Sequence, residues 1–350
     1  MSNNSVNNKR IAKNGIINPL LFTQYRSALM GVSIIWIFLF HSKNVGIPVY
    51  DSIQQFGWAG VDIFFFLSAL GLSFSLEKDN DSFAFYKRRA TRILPTWLTT
   101  LFCVHLCGLL FNKYLPSLPF NAPHTLSQCI CWYTGIGFFI SDFVPNPLCY
   151  YYEWYVPSLL FFYAITPLLH TQKTKVLAII FIATIFISYL LSYFSLLSNL
   201  RLFYLRFPAF IIGIFVYRII KHKWKYYPYA LFGSFSLGLI GCFLLYGLGI
   251  NIPKYFVFQQ LMPTVCILLI ILTKYLRLVH LLNFFGGISL ELYLIHIYKR
   301  PQYLMSLIFE NKLLIVISTF VLCTIAAISL HEIIKLISPK IIKSNQHSIQ

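Results

Sequence analysis

Long apolar runs alternate with short polar and basic interruptions along almost the whole chain. A helix that spans a bilayer needs roughly 20 mostly apolar residues. Ten stretches approach that requirement: 26–43, 57–76, 93–112, 149–169, 176–196, 202–219, 228–248, 255–273, 280–298 and 312–336. The pattern predicts an all-α fold, a polytopic transmembrane helical bundle of about ten spans. A shorter apolar stretch, 127–141, is surrounded by Pro116, Pro119, Pro123, Pro145 and Pro147. It reads as an interfacial or re-entrant piece within a long outer loop. The ends are polar: 1–25 reads as a disordered cytoplasmic tail and 338–350 as a cytoplasmic C-terminal tail. Residues 26–337 then form a single membrane domain.

The basic residues orient this bundle. With the N-terminus in the cytoplasm, 19 of the 28 Lys and Arg residues fall on inner segments and 8 on outer ones, with Arg26 at the inner end of the first span. Such an asymmetry is the signature of cytoplasmic loops, and it places both termini inside. Counting 127–141 as an eleventh span would move Lys173, Lys175 and the cluster from Arg218 to Lys225 outside, a poorer fit.

Composition agrees. Hydrophobic residues make up 58% of the chain and charged residues 11%, against about 25% charged in soluble domains. A soluble enzyme is excluded. The net charge of +18 does not point to nucleic acid, because the basic residues sit in short clusters between apolar runs. The eight cysteines lie mostly within apolar segments, and Cys129-x-Cys131 lacks paired zinc spacing. No metal site is expected, and a disulfide among Cys129, Cys131 and Cys149 stays open.

Ionisable groups inside spans are costly and usually line functional cavities. His41, Asp62, Glu153 and His296 are expected in one layer just beneath the outer surface, on four different helices. Glu291 lies about 7–8 Å deeper than His296 at the helical rise. Each also has a plainer structural reading: an interfacial histidine at position 41, a helix-start carboxylate at Asp62, a solvated Glu153, interhelical hydrogen bonds at Glu291 and His296. On the inner side, Tyr86 to Pro95 carries Lys87, Arg88, Arg89 and Arg92. Arg89 and Arg92 share a face if the segment is helical. Guanidinium forks suit phosphate oxygens, whether of lipid headgroups or of a soluble ligand.

These residues carry a resemblance to the membrane acyltransferase type 3 family, running from about Tyr25 to the last helix in matching order. Met30 to His41 looks like the family's first helix, which ends in its essential histidine. Gly57 to Ala69 is similar to its Gly-Val-Asp-Phe-Phe-Ser-Gly signature. Phe85 to Pro95 matches its Arg-x-x-Arg-Ile-x-Pro element. Trp154 to Pro167 resembles its Trp, Tyr and Pro helix, and Gly287 to His296 its late Ser-x-x-x-Tyr-Leu-x-His motif. Three positions depart from the pattern: Met30 stands where many members have arginine, Leu159 where many have glutamate, and Ala69 where glycine is usual. Arg26, one turn before Met30, lies on the same side and is placed to substitute.

The resemblance implies O-acyl transfer, most simply acetyl, from cytoplasmic acyl-CoA to a hydroxyl of an exported or surface glycan, in a bacterial inner membrane. His41 would be the base, with Asp62 beside it to fix its tautomer; a transient acyl-histidine is the alternative. Arg88, Arg89, Arg92 and Arg26 would hold the phosphates of acetyl-CoA, the donor substrate. Glu153, Trp154, Tyr155, Glu291 and His296 would contact the glycan or glycolipid acceptor. Acyl-CoA, the acceptor and membrane lipid are the expected partners, and no cofactor is permanently bound. A transporter or flippase and a catalytically inactive relative remain as rival classes. A transporter should show repeated halves, and none is evident.

Overall fold

The computed structural model of the chain describes residues 18–78, 81–114, 123–144, 154–298 and 300–337. Each of the ten predicted stretches carries helix. From Arg26 on, the described helices in chain order are α1 (Arg26–His41), α2 (Pro48–Gln55), α3 (Ala59–Lys78), α4 (Ser82–Tyr114), α5 (Leu126–Thr134), α6 (Ile136–Ile140), α7 (Tyr155–Thr171), α8 (Thr174–Tyr193) and α9 (Arg201–Lys221). Then come α10 (Tyr227–Cys242, continued by a π-helical turn to Gly247), α11 (Lys254–Tyr275), α12 (Val279–Gly287), α13 (Ser289–His296), α14 (Arg300–Ile308) and α15 (Lys312–Ile337). Among the described residues there is no strand. Among the described residues, seven helices are long and apolar enough to cross a membrane: α3, α4, α8, α9, α10 with its extension, α11 and α15.

Burial sorts these helices into layers. In α3, 83% of the apolar window is buried, whereas in α8 and α10 only 11% is. An apolar helix left that bare is suited to lipid rather than water. Around α3 the interior is aromatic. Phe65 packs on Tyr155 and Phe162 at 5.3 and 5.0 Å, and Phe162 stacks on Phe203, Phe207 and Phe210.

Helices approach most closely where a side chain is missing. Gly57, in the turn before α3, lies against Trp36 and Phe40 of α1, and Gly60 of α3 against Ser33 and Ile37, so the two helices run antiparallel. Gly213 of α9 meets the backbone of Phe66 on α3. At Gly31 the backbone of Leu282 on α12 occupies the place a Cβ would need, and at Gly286 that of Ser27 on α1 does so. Small residues that let backbones touch are a common route to tight helix packing where lipid removes the hydrophobic drive.

Several boundaries differ from the sequence expectation. The tail expected over 1–25 gives way to structure by residue 18: Leu21 and Phe22 are buried, and the Phe22 ring meets Phe66 edge-on at 5.3 Å. The rest of that tail, and the tail at 338–350, lie outside the described residues. The third span begins well before position 93. At 33 residues, α4 is about 50 Å long at the helical rise, longer than the roughly 30 Å hydrocarbon core. Its first turns therefore extend past the apolar layer and carry Arg88, Arg89 and Arg92 as helical residues. The stretch 127–141 forms two short helices, α5 and α6, separated by Gly135 at φ 71°. The ninth stretch is interrupted at Ile288, between α12 and α13.

Candidate active site

His41 is the last residue of α1, and the segment after it is braced. Gln54 Nε2–H donates to the Ser42 carbonyl at 2.7 Å, and the Tyr50 and Ser42 hydroxyls lie 2.8 Å apart. The Asp51 carboxylate accepts from the backbone N–H of Val45 and of Gly46, both at 3.0 Å. Trp36 Nε1–H donates to the Ile53 carbonyl at 2.7 Å, pinning α2 onto α1. Burial raises the Tyr50 phenol above its ordinary range, and Asp51 beside it adds to this against the Ser42 hydrogen bond.

The His41 ring meets His296. His41 Nδ1 lies 3.1 Å from His296 Nε2, and His296 Nδ1 lies 2.8 Å from the Leu292 carbonyl oxygen one turn back on α13. His41 is half-buried and His296 is buried. The Phe38 and Tyr293 rings flank His296 at 5.7 and 5.6 Å. The glycine contacts between α1 and α12 set this meeting, because they fix the helix from which α13 continues.

Asp62 is not placed to orient His41. In the antiparallel register Gly57 sits opposite Trp36 and Phe40, and Gly60 opposite Ser33 and Ile37. Asp62 therefore lies near the level of Ser33, about 12 Å along the axis from His41 at the helical rise. Of the layer expected from sequence, His41 and His296 do meet, and Asp62 falls out of it because α1 runs on beyond the start of α3. The Asp62 carboxylate instead accepts from Arg206 Nη1 at 2.5 Å and from Gln259 Nε2 at 3.2 Å. Arg206 also donates to the Trp58 carbonyl at 3.0 Å and lies 4.4 Å from the Tyr255 ring centre. Asp62 is 0% exposed and Arg206 2%. Arg206 and Gln259 are the residues sequence reasoning missed. The signal was present, since Arg206 stands inside the apolar stretch Leu202 to Ile219, where an unpaired cation is costly.

At the other end of α1 the arginines gather. Arg26 Nε–H donates to the Leu67 carbonyl at 3.1 Å, and its guanidinium fills the space left by Gly71, where a Cβ would lie 3.2 Å from Arg26 Cζ. Arg92, Tyr163, Arg89 and Tyr155 are the ionisable groups that act on it electrostatically. Arg89 donates to the Ser75 hydroxyl at 2.6 Å and lies over the Phe85 ring. Arg92 is exposed. Among the described residues none of Arg26, Arg89 and Arg92 is paired with a carboxylate. Arg88 adds to the positive field around Arg89.

The remaining sequence candidates divide. Tyr155 is buried and packs on Tyr293 at 4.7 Å, so it stands between the imidazole pair and the arginines rather than at an outer surface. Trp154 is half-buried and packs on Phe65 at 6.2 Å. Glu291 faces the last helix, its Oε1 lying 2.9 Å from His331 Nδ1, and not the layer of His41. Glu153 lies outside the described residues.

These features define an integral membrane protein with a histidine pair at one end of its first helix and, at the other, the arginines Arg26, Arg89 and Arg92, none of them paired with a carboxylate among the described residues. A family model described as an acyltransferase domain matches residues 28–332. The chain belongs to the acyltransferase type 3 family and is a membrane acyltransferase. No curated protein and no solved structure matches it at a significant level.

Proposed function

We propose that the protein moves an acyl group, most simply acetyl, from cytoplasmic acyl-CoA to a hydroxyl of an exported or surface glycan. One observation carries this reading: a single helix, α1, has an anion-ready arginine cluster at one end and a buried-edge imidazole at the other. The 16 residues from Arg26 to His41 rise about 22 Å, a gap suited to a ligand with phosphates at one end and a thioester at the other. Tyr155 and Tyr293 lie between the two sites.

The chemistry follows from those groups. A sugar hydroxyl is too weak an acid to ionise alone near neutral pH, so a base must take its proton as it attacks. His41 takes that proton, and the alkoxide oxygen bonds to the thioester carbonyl carbon. The carbon–sulfur bond then breaks, and the proton passes from His41 to the departing thiolate to give free CoA. Arg26, Arg89 and Arg92 bind the donor phosphates through charge-assisted hydrogen bonds. Acceptor and donor thus approach His41 from opposite sides of the membrane.

The test is acetyl-CoA turnover by purified protein in liposomes with a glycan acceptor extract. Free CoA release is expected from the wild type, to be lost in His41→Ala, and to need far more acetyl-CoA in Arg92→Ala. Release equal to that of empty liposomes would defeat the enzyme reading. Undiminished release from His41→Ala would defeat the base assignment.

A further inference from the structure

The base assignment leaves open which nitrogen of His41 acts and what holds it there, since Asp62 is committed elsewhere. The hydrogen-bond line settles the direction of each proton. A carbonyl oxygen only accepts, so the 2.8 Å contact between Leu292 O and His296 Nδ1 requires a proton on that nitrogen. With the His296 ring neutral, its Nε2 then carries a lone pair and accepts. The 3.1 Å contact to His41 Nδ1 is therefore a donation from His41. The lone pair of a neutral His41 then resides on Nε2, the nitrogen turned away from His296.

We propose that His296, anchored by the Leu292 carbonyl, is the positioning residue that holds His41 in the Nδ1–H tautomer and so makes Nε2 the base. This rests on the acyl-transfer reading above and gives His296 a different task from acceptor binding. The line Leu292 C=O, His296, His41 does the orienting work that a carboxylate does in a Ser-His-Asp triad. When His41 Nε2 takes the acceptor's proton, the resulting imidazolium still donates its Nδ1–H to His296 Nε2, and the positive charge is shared across two rings. On collapse, Nε2–H protonates the CoA thiolate and the starting tautomer returns, so no proton is gained or lost over the cycle.

Two measurements test this. In wild-type protein carrying ¹⁵N-labelled histidine, the His41 resonances, assigned by their loss in His41→Ala, should show a protonated Nδ1 and an unprotonated Nε2. In His296→Ala, kcat should fall about 10²–10⁴-fold, the range general-base catalysis supplies, with the KM for acetyl-CoA unchanged and partial rescue by added imidazole. His296→Gln, whose amide oxygen can accept the same proton, should retain the tautomer and more of the turnover than His296→Ala. A wild-type His41 protonated on Nε2 overturns the inference without recourse to any variant. So does full kcat in a folded His296→Ala while His41→Ala is inactive. Turnover that survives His41→Ala instead removes the base assignment itself, and this inference with it.

Discussion

Breaking the Asp62–Arg206 pair separates a structural role for this carboxylate from a catalytic one. Asp62→Asn keeps the shape of the side chain and its bond to Gln259 but removes the charge. Arg206, 2% exposed, is then left without a counter-ion. Removing one partner of a buried pair costs about 3–5 kcal/mol. Arg206 keeps the Trp58 carbonyl and the face of Tyr255 at 4.4 Å, and a desolvated cation–π contact is worth about 2 kcal/mol at most. Those contacts already exist in the wild type, so they limit relaxation of the side chain rather than repay the loss. The expected destabilisation is about 3–4 kcal/mol. At about 2–4 °C per kcal/mol, the apparent melting temperature in detergent should fall on the order of 10 °C. Asp62→Asn combined with Arg206→Met removes both charges, and such replacements are often neutral or stabilising. The double variant should recover the melting temperature and, because Asp62 does not reach His41, much of the turnover. A folded Asp62→Asn with wild-type melting temperature and no turnover would refute this reasoning and return Asp62 to the catalytic set.

Other expectations follow from the same geometry. Gly31→Leu should force α12 off α1, because the backbone of Leu282 already occupies the Cβ position. Overpacking of this kind typically costs about 1–3 kcal/mol, and acetyl-CoA turnover should fall further than the melting temperature suggests, because His296 rides on the displaced segment. Tyr155→Ala should cost about 3–5 kcal/mol by the core rule for large aromatics, read as a lower melting temperature, while Tyr155→Phe stays close to wild type. Arg89→Ala and Arg26→Ala should each raise the KM for acetyl-CoA by about ten- to a hundredfold, the range of a hydrogen bond to a charged group, and high salt should narrow the difference at exposed Arg92. For topology, single cysteines at Ser82 and Asn251 in a background without other cysteines should be labelled from the cytoplasmic and the external side respectively; the reverse pattern would invert the bundle.

The helices were legible because a bilayer demands long apolar runs, and those runs are plain in the sequence. The arginine cluster was legible for a similar reason: cations sit at the ends of apolar runs, and Arg89 and Arg92 are spaced for one helix face. Lateral relations were not legible. Whether His41 meets Asp62 or His296 depends on axial register, and register depends on where Gly31, Gly57, Gly60 and Gly286 let backbones touch. A depth counted from the ends of hydrophobic stretches carries an error of a turn or more, enough to misplace a hydrogen-bond partner. Arg206 shows the same limit. Counted from sequence among the eight cations of the outer segments, it sits inside α9 and neutralises the one carboxylate buried in α3.

The two polar lines through the bundle divide their work by charge. An aspartate beside His41 would place a formal negative charge next to a mobile thioester and a developing oxyanion, in surroundings where an unpaired charge is costly. A neutral imidazole anchored to a backbone carbonyl gives the same directional hold on His41 Nδ1 with no formal charge at rest. In the proposed mechanism, positive charge arises only when the acceptor's proton arrives, at the moment when the thioester oxygen becomes negative and the two can offset each other. Asp62, meanwhile, has a full counter-ion in Arg206 and a second donor in Gln259, so its charge is satisfied within the frame. On this division, replacing His296 with a carboxylate should not improve the base. His296→Asp should act less well than His296→Gln, because it buries a formal charge where a neutral ring stands, and comparison of their kcat values at equal folded fraction decides the point.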